Sequence, residues 1–385
     1  MDFPYIWAEI DKKAISHNLT EIKRITNADT QIMAVVKANG YGHGIIQVAQ
    51  IAVKNSATML GVARINEAIE LRKAEFDVPI LILGYTHKAC AKEIIKYNLI
   101  PTVYSYQMAK AISIAALTCG KKISVHVKID TGMGRIGIIP DFMAPFSHHH
   151  LKTDNAINEV IKIACLKNLK IEGIFTHFST ADSRDKSFSN QQFEIFMDFL
   201  HQLSLAGLEI PVKHTANSAA IIDMPETHLD MVRAGICMYG LYPSNQVDKN
   251  RINLKPAMKL KTRIIHLKKV PAGFNISYGG TYKTPKPTTI ATVPVGYSDG
   301  YSRMLSSRGY MIVREQKAPV VGRVCMDQTM LDVGHINGIS TEDEVIIMGK
   351  QGRLSITADE IASLLNTISY EILSILSNRI KRIYI

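Results

Sequence analysis

Cysteine is scarce and never clustered. The five (Cys90, Cys119, Cys165, Cys237 and Cys325) stand far apart, are odd in number and form no C-x-x-C. That pattern excludes a disulfide frame and a cysteine zinc site, and it points to reduced thiols and a cytoplasmic setting. No apolar run approaches the ~20 residues that a membrane helix needs, so no membrane partner is expected. The opening MDFPYIWAEIDKK carries acids early and lacks a basic flank leading into an apolar run, unlike a signal peptide. Few aromatics interleave with the scattered Lys and Arg behind the net charge of +11, which argues against nucleic acid. A basic surface around a small anionic ligand explains the charge as well. One histidine run, His148, His149 and His150, lies in the polar, proline-broken stretch between Ile139 and Asn155. Consecutive histidines share no face and here have no acid pattern beside them, so no metal is expected.

A chain of 385 residues is long for one core and predicts two domains. One stretch organises the first of them: AVVKANGYGHG, residues 34–44. Ala34-Val35-Val36 suits a strand buried on both faces. Lys37 ends it, between apolar core and open cleft, where desolvation lowers an amine's pKa from its usual ~10.4. A neutral amine is a nucleophile, and a Schiff base to a carbonyl cofactor is its common use. Gly40, Gly42 and Gly44 then let the backbone turn tightly beside a ligand.

From residue 31 short apolar runs alternate with helical patterns. The runs are 31–37, 58–63, 79–83, 101–104, 123–130, 171–177, 211–215 and 229–235. Amphipathic stretches such as INEAIELRKAEF and NQQFEIFMDFLHQLSLAG lie between them, the last ending in a glycine C-cap. Eight strand–helix units predict a parallel (β/α)₈ barrel of the TIM type over residues 12–243. An open doubly wound sheet is the alternative, but no G-x-G-x-x-G follows the first run. From residue 244 to 385 strands with tight, glycine-rich connections predict a mainly β domain, with helix only near TADEIASLLN and EILSIL. Residues 4–11 read as a strand that precedes the barrel, and segment 1–11 is expected to join the C-terminal β domain.

The chemistry collects where the barrel strands end. Lys37 closes the first run; Lys128, Asp130 and Arg135 the fifth; His177 the sixth; His214, Asn217 and Ser218 the seventh; Arg233, Gly235 and Ile236 the eighth. Barrel active sites lie on that face. The small-residue turns ANSAA and VRAGI leave backbone N–H groups that suit a phosphate. A ligand with an aldehyde for Lys37 and a phosphate for those turns is what pyridoxal 5'-phosphate offers.

The chain closely resembles the alanine racemase family. The matching motifs are AVVKANGYGHG, KIDTGMGRIG, GIFTHFSTAD, HTANSAA, DMVRAGICMYG, ISYGGTY, VPVGYSDGY, GRVCMDQTMLDV and TISYEIL, in family order over nearly the whole length. The resemblance implies an isomerase that interconverts L- and D-alanine on pyridoxal phosphate and supplies D-alanine for peptidoglycan. Lys37 and Tyr278 are its two implied acid/base residues, on opposite faces of the substrate Cα. Tyr278, Met326 and Asp327 would come from the other subunit of a homodimer. Tyr41, Ser218, Gly235, Ile236 and Tyr370 would hold the phosphate, with Asn217 also on the cofactor. Arg233 would face the pyridine nitrogen. Arg135 would meet the ring hydroxyl and the substrate carboxylate, and His177 would sit beside Tyr278. Tyr297 would narrow the entrance, and Lys128 matches a lysine often carbamylated in the family. The segment 140–154 looks longer than is usual there. A broader-range racemase (for serine, for example), a diamino acid decarboxylase of the same scaffold and a non-catalytic cofactor carrier are the alternatives. Tyr278 and Arg233 argue against the decarboxylase, and the second domain argues against the carrier.

Overall fold

The computed structural model describes residues 4–141 and 156–385. The histidine run and the long segment around it fall outside the described residues. The chain forms two compact units. One takes in the chain up to Lys13, Tyr41–Gly44 and Pro256–Ile385; the other takes Ala14–Gly40 and Ile45–Lys255.

The first strand, β1 (Ile6–Ile10), lies in the former unit. The latter unit is built on eight parallel strands among the described residues: β2 (Gln31–Val35), β3 (Ala57–Val62), β4 (Ile80–Ile82), β5 (Ile100–Val103), β6 (Ile123–Lys128), β7 (Leu169–Phe175), β8 (Val212–His214) and β9 (Met231–Ala234). Their order is β8-β7-β6-β5-β4-β3-β2-β9. Backbone bonds from Asp230 N–H to the Lys213 carbonyl (3.1 Å) and from Arg233 N–H to that of Ala216 (3.0 Å) bring β9 back to β8. The sheet therefore closes into the expected barrel, and the open-sheet alternative is excluded.

Ile32, Met33, Ala34 and Val35 are all buried, as a strand covered on both faces requires. Each such Ile or Val contributes about 1.5–3 kcal/mol by leaving water. The helix Ser187–Leu205 ends as its sequence predicts. Leu208 N–H reaches the Leu203 carbonyl and Gly207, at φ +81°, reaches Ser204, the paired bonds of a Schellman cap.

In the β unit, β1 pairs antiparallel with β10 (Met258–Arg263). The remaining strands are β11 (His266–Val270), β12 (Asn275–Ile276), β13 (Tyr282–Lys283), β14 (Thr288–Val293), β15 (Tyr310–Val313), β16 (Gln316–Pro319), β17 (Thr329–Asp332), β18 (Glu344–Gln351), β19 (Leu354–Ile356) and β20 (Lys381–Tyr384). The main sheet runs β16-β15-β18-β10-β1-β20, with β19 on β18; β11-β14-β17 form a second sheet and β12-β13 a ribbon. β20 lies parallel to β1, so the two ends of the chain share one sheet. Arg314 and Glu315, at φ +47° and +59°, make the two-residue turn between β15 and β16.

Residues 244–255, which follow the expected boundary, group with the barrel unit. Long-range hydrogen bonds hold them. Glu21 accepts Asn253 N–H at 3.0 Å, and Asn18 exchanges two bonds with Lys255, at 2.8 and 2.9 Å. Both partners lie on the helix Lys12–Ile25, far away in sequence.

Candidate active site

Lys37 follows β2 by two residues. After it the chain turns through a run of positive φ that begins with Ala38, Asn39 and Gly40 and continues through Tyr41 and Gly42. One carboxylate holds that turn. Glu67 accepts Ala38 N–H at 2.6 Å on Oε1, and Ala63 and Arg64 N–H at 2.8 and 3.0 Å on Oε2. The Asn39 side chain accepts Ile45 N–H at 3.0 Å and starts the next helix. Burial, and next the Arg135 charge, hold the Lys37 amine below its ordinary range, partly offset by Glu67.

Asp130 does for the β6 turn what Glu67 does for Lys37. Its carboxylate accepts the N–H groups of Gly132, Gly134 and Arg135 at 3.0–3.1 Å. The loop folds back so that Asp130 N–H donates to the Ile138 carbonyl and Ile138 N–H to that of Lys128, both at 2.9 Å. Gly137 allows this at φ +144°, where a Cβ would lie 2.5 Å from Asp130 N. The backbone of Arg135 is thereby held, and its side chain is exposed.

Arg233 is buried beneath the mouth. Its two terminal nitrogens donate to His214 Nδ1, to His177 Nδ1 and to the carbonyls of His214, Thr215 and Thr176, at 2.8–3.1 Å. Its Nε–H has no such acceptor among the described residues, which leaves it for a ligand. Burial and Arg135 bring this guanidinium down to about 9, still protonated at neutral pH. Since arginine only donates, His177 and His214 accept through Nδ1 and carry their protons on Nε2. His214 passes its Nε2–H to His126 Nδ1 at 2.9 Å and stacks on Phe175 with centroids 4.7 Å apart. The proton of His126 then sits on Nε2, which has no partner among the described residues. Gly173 makes room for that ring: a Cβ there would stand 2.4 Å from it. Burial first, and then the Arg233 charge, push His177 and His214 well below their ordinary value.

Lys128 is buried with Nζ 4.5 Å over the Phe175 ring. Burial, followed by Arg233 and Arg135, lowers it far below an ordinary lysine. The electrostatic neighbours of Lys37, Lys128, His177 and Arg233 are one another, Arg135, Asp130 and Glu67. The guanidiniums of Arg135 and Arg233 keep their charge whatever the two buried lysines do, and they suit an anionic ligand. Beside them Ser218 Oγ accepts the N–H groups of Gly235 and Cys237 at 3.1 and 3.4 Å, and Ile236 lies between the two. Asn217 caps the short helix Ser218–Asp223, accepting Ala219 and Ala220 N–H at 3.1 Å. This small-residue, N–H-lined cradle with a hydroxyl fits a phosphate, and the desolvated Lys37 amine fits an aldehyde. Among the described residues no cluster could hold a metal, and no helix is long and apolar enough to cross a membrane.

The other sequence-expected residues lie in the β unit. The rings of Tyr41 and Tyr370 face each other with centroids 6.2 Å apart. Tyr278, Tyr297, Met326 and Asp327 are exposed. Arg379 ties Asp327 Oδ1 (2.9 Å) to Ser298 Oγ (2.6 Å), and Ser298 N–H and Oγ both reach the Met326 carbonyl. Sequence reading did not single out Glu67, His126 or Arg379. Glu67 had a faint signal, as the third helical residue of an N-terminal capping pattern; the other two had none.

A closed barrel with a desolvated lysine and an anion cradle at one mouth, followed by an antiparallel β unit, defines a class of lysine-tethered cofactor enzymes. Family profiles name it further. Residues 10–243 match "Alanine racemase, N-terminal domain" and residues 257–384 match "Alanine racemase, C-terminal domain". A protein of Desulfosudis oleivorans named alanine racemase is 51% identical over 381 residues, covering 98% of this chain and 96% of its own. A solved alanine racemase of Clostridium difficile 630 superposes with TM-score 0.93 at 41% identity, over 100% of this chain and 97% of that one. The Bacillus anthracis alanine racemase with bound L-Ala-P gives TM-score 0.92 at 35% identity, over 100% and 96%. This chain belongs to the alanine racemase family.

Proposed function

We propose that this protein is a pyridoxal-phosphate-dependent alanine racemase, an isomerase whose product D-alanine serves peptidoglycan synthesis in the cytoplasm. The carrying observation is the buried Lys37 amine at the end of the first barrel strand, with the Arg135 and Arg233 charges near it. Lys37 would tether the cofactor, Ser218, Gly235 and Ile236 would hold its phosphate with Tyr41 and Tyr370, and Arg233 would meet its ring nitrogen. When bound, the cofactor supplies an electron sink for the substrate Cα.

Racemisation removes a proton from one face of Cα and returns one to the other, so it needs two carriers. Lys37 Nζ is one, kept ready to accept a proton by burial and by Arg135. Tyr278 Oη is the second, contributed by another copy of the chain in a homodimer. A phenol is a weak base at its usual ~10, so it needs a donor that steadies the phenolate. The Nε2–H of His177 is such a donor, because Arg233 occupies Nδ1. Arg233 keeps its own proton and so would leave a ring nitrogen facing it unprotonated, which would restrain side reactions. Arg135 would hold the substrate carboxylate, with Met326 N–H and Asp327 contributed from the other subunit and Tyr297 narrowing the way in. Lys128, whose burial lowers its amine well below an ordinary lysine, would be open to carbamylation, which would place a negative charge beside Arg135.

Purified protein given L-alanine and pyridoxal phosphate should yield equimolar L- and D-alanine, and Lys37→Ala should abolish this. Optically unchanged alanine with the wild-type protein would refute the reading.

A further inference from the structure

Tyr278 has 69% of its surface exposed, so no surrounding core fixes its direction. Within its own chain its direction is set by its backbone, and the residue before it has an unusual one. Ser277 sits at φ +64°, ψ −175°, a region open essentially to glycine alone. Strain of this kind persists only where neighbours over-determine it. Here the Ser277 hydroxyl donates to the Arg323 carbonyl at 2.6 Å and lies 3.5 Å from Cys325 Sγ. Two glycines let the segments meet. A Cβ on Gly322 would stand 2.7 Å from the Ile276 carbonyl oxygen and 2.9 Å from Ser277 Cβ, and one on Gly279 would stand 3.1 Å from Arg323. The segment so gripped continues directly into Met326 and Asp327.

We propose that Ser277 is the positioning residue for Tyr278: its hydroxyl clamps the tyrosine turn onto the 323–327 segment, so that the proton carrier and the substrate contacts move as one piece. The proposal rests on the racemase reading above and adds a residue to it. A proton carrier displaced by an ångström loses about 100-fold in rate.

Two variants separate the hydroxyl from the strain. Ser277→Ala keeps the unfavourable conformation without the clamp, and Ser277→Gly removes both. Both should lose about 10–100-fold in exchange of the Cα proton with deuterated solvent from one alanine enantiomer, while exchange from the other, served by Lys37, changes less than about threefold. Amide exchange at Tyr278–Gly280 should quicken in both, and Ser277→Gly should be the more stable to urea. Ser277→Gly keeps the test open if Ser277→Ala does not fold. Exchange unchanged from both enantiomers, or lost equally from both, would overturn the clamp while the wild-type control still racemises. A wild-type protein silent on alanine would instead remove the racemase reading itself.

Discussion

Glu67 Oε1 accepts the backbone N–H of Ala38, the residue immediately after Lys37, at 2.6 Å. The same carboxylate takes two more N–H groups at the start of its own helix, so one acid fixes the lysine's turn to the neighbouring strand–helix junction. Its negative charge also raises the Lys37 amine against the larger effect of burial. Both roles need an anion with two accepting oxygens.

Glu67→Gln should therefore act twice. Replacing one oxygen with a donor leaves an N–H of the turn without an acceptor and costs about 1–3 kcal/mol in unfolding free energy. Removing the charge lowers the Lys37 amine further, so that the neutral form persists to lower pH. The midpoint for covalent capture of added pyridoxal phosphate by apoprotein, followed by its absorbance, should move to lower pH. A midpoint that rises would show that Glu67 does not act on Lys37 electrostatically.

The histidines behind Arg233 predict an acid sensitivity of known sign. Burial pushes His126 down to about 3, and His214 and His177 also lie well below the ordinary value. All three stay neutral in the folded chain but take up protons near ~6.5 once unfolded. The unfolded state then binds more protons, so stability is full above pH ~6.5 and falls as pH drops below it. His126→Asn removes one titrating group. Its urea-unfolding free energy should fall less steeply between about pH 4 and 6, by about one proton's worth. A slope equal to that of the wild type would mean that His126 is protonated in the folded chain.

The proposed sharing of active sites between two subunits predicts complementation. Lys37→Ala and Tyr278→Phe should each be nearly inactive in at least one direction as homodimers. Mixed and allowed to exchange subunits, half of the dimers become hybrids, each with one site carrying both defects and one carrying neither. About a quarter of the wild-type sites should return. Sedimentation of the mixture as dimers without recovered activity would place both carriers on one chain.

Much of this was legible in the linear sequence because a parallel barrel sends every strand's C-terminal end to the same mouth. Polar residues that close successive apolar runs must then converge, whatever the loops do between them. Lys37, Arg135, His177, Ser218 and Arg233 could be singled out in that way, and the run lengths alone gave the eight strands. The N-terminal strand could be told from the barrel only because the helical rhythm had not yet begun.

What the linear order could not carry is who meets whom across it. The tautomer relay from Arg233 through His214 to His126 joins three strands, and its direction follows from arginine's inability to accept. Residues 244–255 stay with the barrel because their N–H groups find acceptors on a helix more than 230 positions away. The Ser277 conformation is held by a carbonyl 46 residues further on. Periodicity and strand-end chemistry are local properties, and sequence by itself determined them. Burial, hydrogen-bond pairing and the pKa values that follow depend on non-local neighbours, and those the tertiary structure alone decided.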